Sequence, residues 1–153
     1  MLIPRILRLK QVIREKIGSL NEANGAQFTP TLRQIDDNLT TQADIEVTCV
    51  PLGYEERDLQ ALEFTEVDVF FEIVVSVKGR INDIPIDEVC LLVHADIERA
   101  LMEDVTQGGE ARDTQIEGST RVIDDKQPHG TYAWLRVYSF YVSYPLGDPL
   151  TDD

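Results

Sequence analysis

From Glu66 to Lys78 the chain alternates with period two. The odd positions read Val67, Val69, Phe71, Ile73, Val75 and Val77; the even positions include Glu66, Asp68, Glu72, Ser76 and Lys78. Successive side chains of a strand point to opposite faces, so this pattern dictates a β-strand with one buried and one largely wet face. At ~3.3 Å per residue it spans about 43 Å, far more than the usual strand of about five or six residues. A strand of that length is expected to project beyond its own core as an arm or extended hairpin.

The segments around it alternate between helix and strand character. Pro4 to about Leu20 reads as a helix. Pro4 suits the first helical position, and Ile6, Leu9, Val12, Ile13, Ile17 and Leu20 recur at three- and four-residue spacing. Residues 21–43 lack periodicity and read as a long loop. Ile45–Leu52 reads as a strand with Ile45, Val47 and Cys49 on one face, and Pro51 marks an edge. Residues 53–65 form an acidic connection.

The second helix covers 85–104. Ile86, Val89, Cys90, Val93, Ile97, Ala100 and Leu101 make a stripe for the sheet, while Leu92, Ala95 and Met102 fall elsewhere, interleaved with Asp96 and Arg99. A helix apolar on more than one side is sandwiched or exposed to a partner. Gln107-Gly108-Gly109 reads as a flexible exit, followed by a weak strand near 114–123 and a turn at 124–130. The closing strand, Thr131–Tyr144, holds six of the eleven aromatics. Both its faces are apolar, as in a central strand or one lying against a second subunit. The expectation is one α+β domain, 1–153, with a mostly antiparallel sheet of about four strands, two helices packed on it and the order α-β-β-α-β-β. Residues 144–153 form an extended tail ordered by a partner.

Charge narrows the function classes. Net charge is −14, with +4 in the first 20 residues and −18 on the remainder. So acidic a body repels phosphate and disfavours specific DNA binding. The basic first helix is either a solvated face or one that meets an acidic surface on a neighbouring copy. No apolar run approaches the roughly 20 residues of a membrane span. Cys49 and Cys90 form no CxxC or Cys/His cluster and are expected to be buried free thiols, as suits a reducing cytoplasm.

Catalytic motifs are missing from the sequence. There is no GxSxG, and Gly108-Gly109 neither follows a strand nor precedes Lys-Ser/Thr. His94 and Glu98, one helical turn apart, lack an evident third metal ligand, and His94 is expected at the surface. The pairs Asp36-Asp37, Glu55-Glu56 and Asp124-Asp125 lack the spacing of a calcium loop. No catalytic, cofactor or metal residue is assigned.

In its second half the chain runs Ile84-Pro85-Ile86-Asp87, then Ala95-Asp96-Ile97-Glu98-Arg99-Ala100-Leu101-Met102, Gly108-Gly109, Asp113-Thr114 and a Tyr-rich closing strand. This order resembles the tail terminator (tail completion) proteins of long-tailed bacteriophages. The resemblance extends loosely over most of the chain, although the 21–43 loop is long for the family. It implies a ring, usually hexameric, that caps the tail tube, stops its growth and presents a surface to the head-side connector. It also implies a place in the virion, at the neck-proximal end of the tail, with assembly in the host cytoplasm. DNA would pass through an acidic lumen without specific binding, and no membrane or cofactor is involved. Leu92, Ala95, Arg99, Met102, Phe70, Trp134 and Tyr138 are the candidate subunit or partner contacts. The alternatives are a head–tail connector or neck protein from the same setting, and a small acidic enzyme or ligand-binding domain.

Overall fold

Two helices, α1 (Arg5–Gly18) and α2 (Ile86–Met102), lie on one face of a five-stranded sheet made of β1 (Thr31–Arg33), β2 (Ile45–Glu56), β3 (Phe64–Lys78), β4 (Asp113–Arg121) and β5 (Thr131–Pro145). The computed structural model describes residues 4–33, 43–57, 64–121, 131–145 and 147–149. The fold is α+β. Strand order is β1-β2-β3-β5-β4, with β1 parallel to β2 and every other neighbour antiparallel.

The expected order and strand count need correction. The segment read as a loop contains a 3-10 turn, Glu22–Asn24, and the extra strand β1. Three residues are too few to reveal a period. Leu32 takes its place beside Gly18 of α1, where a Cβ would sit 3.7 Å from Leu32 Cδ2. Residues 34–42, 58–63 and 122–130, which include the Asp36-Asp37 and Asp124-Asp125 pairs and the expected turn, lie outside the described residues.

Nor is β3 an arm. It pairs with β5 along its whole length, from Phe64 opposite Pro145 to Lys78 opposite Thr131. Every odd position from Val67 to Val77 is buried. The expected alternation is therefore present, but in a central strand whose inner face is roofed by helices. β2 runs to Glu56, beyond the expected end at Leu52, and its second half, Pro51–Glu56, is exposed.

The helices supply the roof through four-residue spacing. Leu9, Ile13 and Ile17 of α1 are buried, as are Val89, Cys90, Val93, Ile97 and Leu101 of α2. Each fully buried aliphatic side chain contributes ~1.5–3 kcal/mol. Phe71 and Phe140 meet edge to face beneath them, with ring centroids 5.6 Å apart. Pro4 and Pro85 occupy the N-cap positions, one residue before each helix, and provide no side-chain cap. Asp87 and Glu88 in the first turn of α2 face the positive end of its dipole.

The exit from α2 is fixed rather than flexible. Gln107 has φ +50° and is fully buried. Its Nε2 donates to the Leu101 carbonyl at 2.7 Å and to Thr114 Oγ1 at 3.0 Å, and its Oε1 accepts from Lys16 Nζ at 2.5 Å. Asp104 closes the loop by accepting from Thr106 N and Gly108 N. Asp148 N donates to the Pro145 carbonyl, and the Pro149 carbonyl accepts from Arg5 N at 3.0 Å, tying the chain's end to the start of α1.

Candidate assembly surface

Both helices lie on one side, and among the described residues nothing covers the other face of the sheet. Register places Val50 of β2, Phe70, Glu72 and Val74 of β3, and Leu135 and Val137 of β5 side by side there. All six are half-buried, although no other element of the described chain covers them. Five of the six are apolar, with the carboxylate of Glu72 among them, and charged pairs border the patch at both ends. At one end Glu46 takes Arg33 at 3.5 Å and Lys78 at 3.7 Å. At the other, Arg57 bonds Asp68 at 2.9 Å, and its guanidinium carbon lies 3.7 Å from the centroid of the Tyr141 ring. An apolar patch with a polar rim has the anatomy of a protein–protein contact.

The predicted contact residues divide among three environments. Ala95, Arg99 and Met102 are exposed on the outward side of α2, and Leu92 on the same helix is half-buried against the core. Phe70 belongs to the bare face on the opposite side of the sheet. Trp134 points to the helix side; it stacks on Tyr132 with centroids 6.3 Å apart and donates from Nε1 to Ser119 Oγ. Tyr138 is a correction: it is fully buried beside Phe140 and has no surface to offer a neighbour. The period-two inner face of β5 takes it inward. Seven residues thus do not make one surface.

Sequence reasoning missed Leu91, 50% exposed on α2, and the apolar residues at the sheet's borders, Leu52, Tyr54 and Ile116. Pro51 was the available signal, since an imide nitrogen belongs at an edge. Phe70 and Val74, apolar among the even positions of β3, were the signal for the bare face.

The basic first helix is neither wholly solvated nor wholly free. Arg5 is buried, Arg8 Nε bonds Glu110 at 3.1 Å, and Lys16 is engaged by Gln107.

A groove of about 650 Å³ runs between the end of α1 and α2, lined by Val12, Lys16, Leu20, Asp96, Arg99 and Ala100 among others. Several of its polar groups are already engaged. Asp96 accepts from Gln27 N at 2.9 Å, and Ser19 Oγ donates to the Lys16 carbonyl. His94, expected at the surface, is 2% exposed under β5 and lines neither this groove nor the smaller hollow beside Arg5 and Ser143. Among the described residues no group of three or more His, Cys, Asp or Glu side chains is placed to hold a metal. Cys49 and Cys90 are buried free thiols, each raised to about 12 by burial. In comparisons with known proteins, the chain matches no family model and no curated protein.

Proposed function

We propose that this chain is a structural protein of the tail terminator kind. Copies of it assemble into a ring that caps a phage tail tube and offers a docking surface to the head-side connector. The observation that carries the reading is the sheet face that no other described element covers, where Val50, Phe70, Val74, Leu135 and Val137 lie half-buried around Glu72 inside a rim of ion pairs. Wetting such a patch is costly at roughly 25 cal/mol per Å² of apolar area, and a neighbouring protein removes that cost. The resemblance along Ile84–Asp87, Ala95–Met102 and the Tyr-rich last strand supports the same reading. So does the net charge of −14, which lets DNA pass a ring's lumen without adhering. No catalytic step is assigned to the chain.

The test is the morphology of particles made without this protein, with purified protein added back to polymerising tail tubes. A terminator's loss gives overlong tails, and adding it back limits tube length. Tails of normal length beside detached heads identify a connector component instead. Particles of normal morphology reject both.

A further inference from the structure

The sheet has two open borders, and they match. On one side β4 has β5 as its only neighbour among the described residues. On the other, β1 pairs with β2 at Glu46–Thr48, and among the described residues nothing pairs with the outer edge of Cys49–Glu56. Tracing the register across the sheet puts these borders at the same height. Cys49 aligns through Ile73 and Arg136 with Ser119, and Glu55 aligns through Asp68 and Tyr141 with Asp113.

Direction matches as well. Three antiparallel steps separate β2 from β4, so the two run in opposite senses. A second copy set beside the first with the same orientation therefore lays its β2 antiparallel to the first copy's β4. Both borders carry a bulge, at Leu52 and at Glu117, and both bulges flank the level of Phe71 and Tyr138. A bulge on a lone edge deters pairing by adding twist. Here the two bulges fall on either side of one level, the β2 bulge toward Phe70 and the β4 bulge toward Val137, so the two irregularities adjoin.

Side chains complete the match. Of the exposed large hydrophobic residues among the described ones, Leu52 and Tyr54 stand on the β2 border and Ile116 on the β4 border. At one common end of the sheet, β2 finishes in the exposed acids Glu55 and Glu56. There β4 is preceded by Arg112, which is exposed and in no ion pair among the described residues.

We propose that a second copy of this chain docks on these borders, the β2 edge Cys49–Glu56 of one copy pairing antiparallel with the β4 edge of the next. This deepens, and rests on, the self-assembly reading above. The contact is heterologous: each copy offers two different edges, and repeating it turns all copies the same way, as a polar ring requires. Backbone hydrogen bonds supply the attraction and Leu52, Tyr54 and Ile116 the apolar contact, while Arg112, one register step from Glu55, offsets the opposition of Glu55 to Asp113.

The test uses the full-length chain and two edge variants, Leu52→Lys with Tyr54→Lys, and Ile116→Lys with Thr120→Lys. All four positions are exposed, so thermal unfolding midpoints near wild type confirm folding. Native mass spectrometry and sedimentation at rising concentration are expected to give wild-type oligomers larger than dimers. Each variant alone is expected to stay monomeric, and an equal mixture to stop at a heterodimer, because one intact β2 edge meets one intact β4 edge. A wild-type monomer at every concentration overturns the proposal, as does homodimerisation of either variant or a mixture that stays monomeric. If both variants assemble like wild type, edge pairing is wrong while self-assembly stands. The tail-length assay then judges the functional reading separately.

Discussion

His94 Nε2 lies 2.8 Å from the backbone oxygen of Trp134 and so fastens the middle of α2 to β5. The oxygen can only accept, which makes Nε2 the protonated nitrogen; Nδ1 is buried without a partner. The neutral ring satisfies this bond, and a charged ring would have to live under the sheet. Burial, aided by the nearby Arg136 charge and opposed by the Trp134 hydrogen bond, lowers the pKa from 6.5 to about 4.

Stability is therefore expected to fall as the solution is acidified through this window. Below pH ~6.5 the unfolded chain takes up a proton at His94 that the folded chain refuses until about pH 4. The contribution is fully present above pH ~6.5 and declines to nothing by about pH 4, amounting to about 3 kcal/mol at most. His94→Gln keeps a donor for the Trp134 carbonyl and cannot titrate. Urea unfolding midpoints at pH 7, 5.5 and 4.5 should fall more steeply for wild type than for H94Q. Parallel slopes would falsify the assignment.

Gln107 performs a related fastening at the other end of α2. Its side chain bonds Leu101, Thr114 and Lys16, and thus joins the end of α2, the start of β4 and α1. Gln107→Ala leaves the Leu101 carbonyl unsatisfied in a buried place, where an orphaned acceptor costs about 1–3 kcal/mol beyond the lost bonds. The expected loss is about 2–4 kcal/mol in urea unfolding. Gln115→Ala, an exposed control on β4, should stay within ~0.5 kcal/mol. Equal effects of the two substitutions would remove the claim that the loop is held by this residue.

These two residues show where sequence reading reaches its limit. Periodicity identified α1, α2 and the inner faces of β2 and β3, because Leu9, Ile13 and Ile17, or Val67 through Val77, repeat the geometry of their own element. It gave no hint that His94 would be drawn under Trp134, since that contact joins residues 40 apart in sequence. Nor could it find β1, three residues long and paired in parallel with a strand reached only after the segment 34–42. Tyr138 was misread because an aromatic-rich strand looks the same whether its rings fill a core or wait for a neighbour. The open borders were equally hidden. Which strand lies outermost is a property of sheet order, and only Pro51 betrayed it.

The thiols offer a test of the packing itself. Cys49 and Cys90 are both buried, Cys90 Sγ lies 3.4 Å from the Val75 carbonyl, and burial holds each thiol near 12. At pH 8 almost no thiolate exists at either site, and the thiolate is the nucleophile. Native protein should thus react with a chromogenic disulfide reagent at a rate limited by unfolding. Two thiols should appear at once in denaturant. Rapid native labelling of either cysteine would mean that its helix–sheet contact opens readily.

The two faces of β3 and β5 should respond to mutation in opposite ways. Ile73 is fully buried beneath the helices, so Ile73→Ala removes packed volume and should cost about 2–4 kcal/mol. Leu135, opposite Val74 on the bare face, is only half-buried. Leu135→Lys is expected to shift folding stability by about 1 kcal/mol or less, because the ammonium can reach water while its stem covers the patch. Its effect belongs to assembly: a hydrated ammonium in the middle of the contact, diagonal to Glu72, should weaken tube capping at least tenfold. Chemical denaturation of both variants, with capping titrated for L135K, separates the two outcomes. If L135K caps tubes as well as wild type, the bare face is not the contact, and the half-exposed Val50, Phe70, Val74 and Val137 need another explanation.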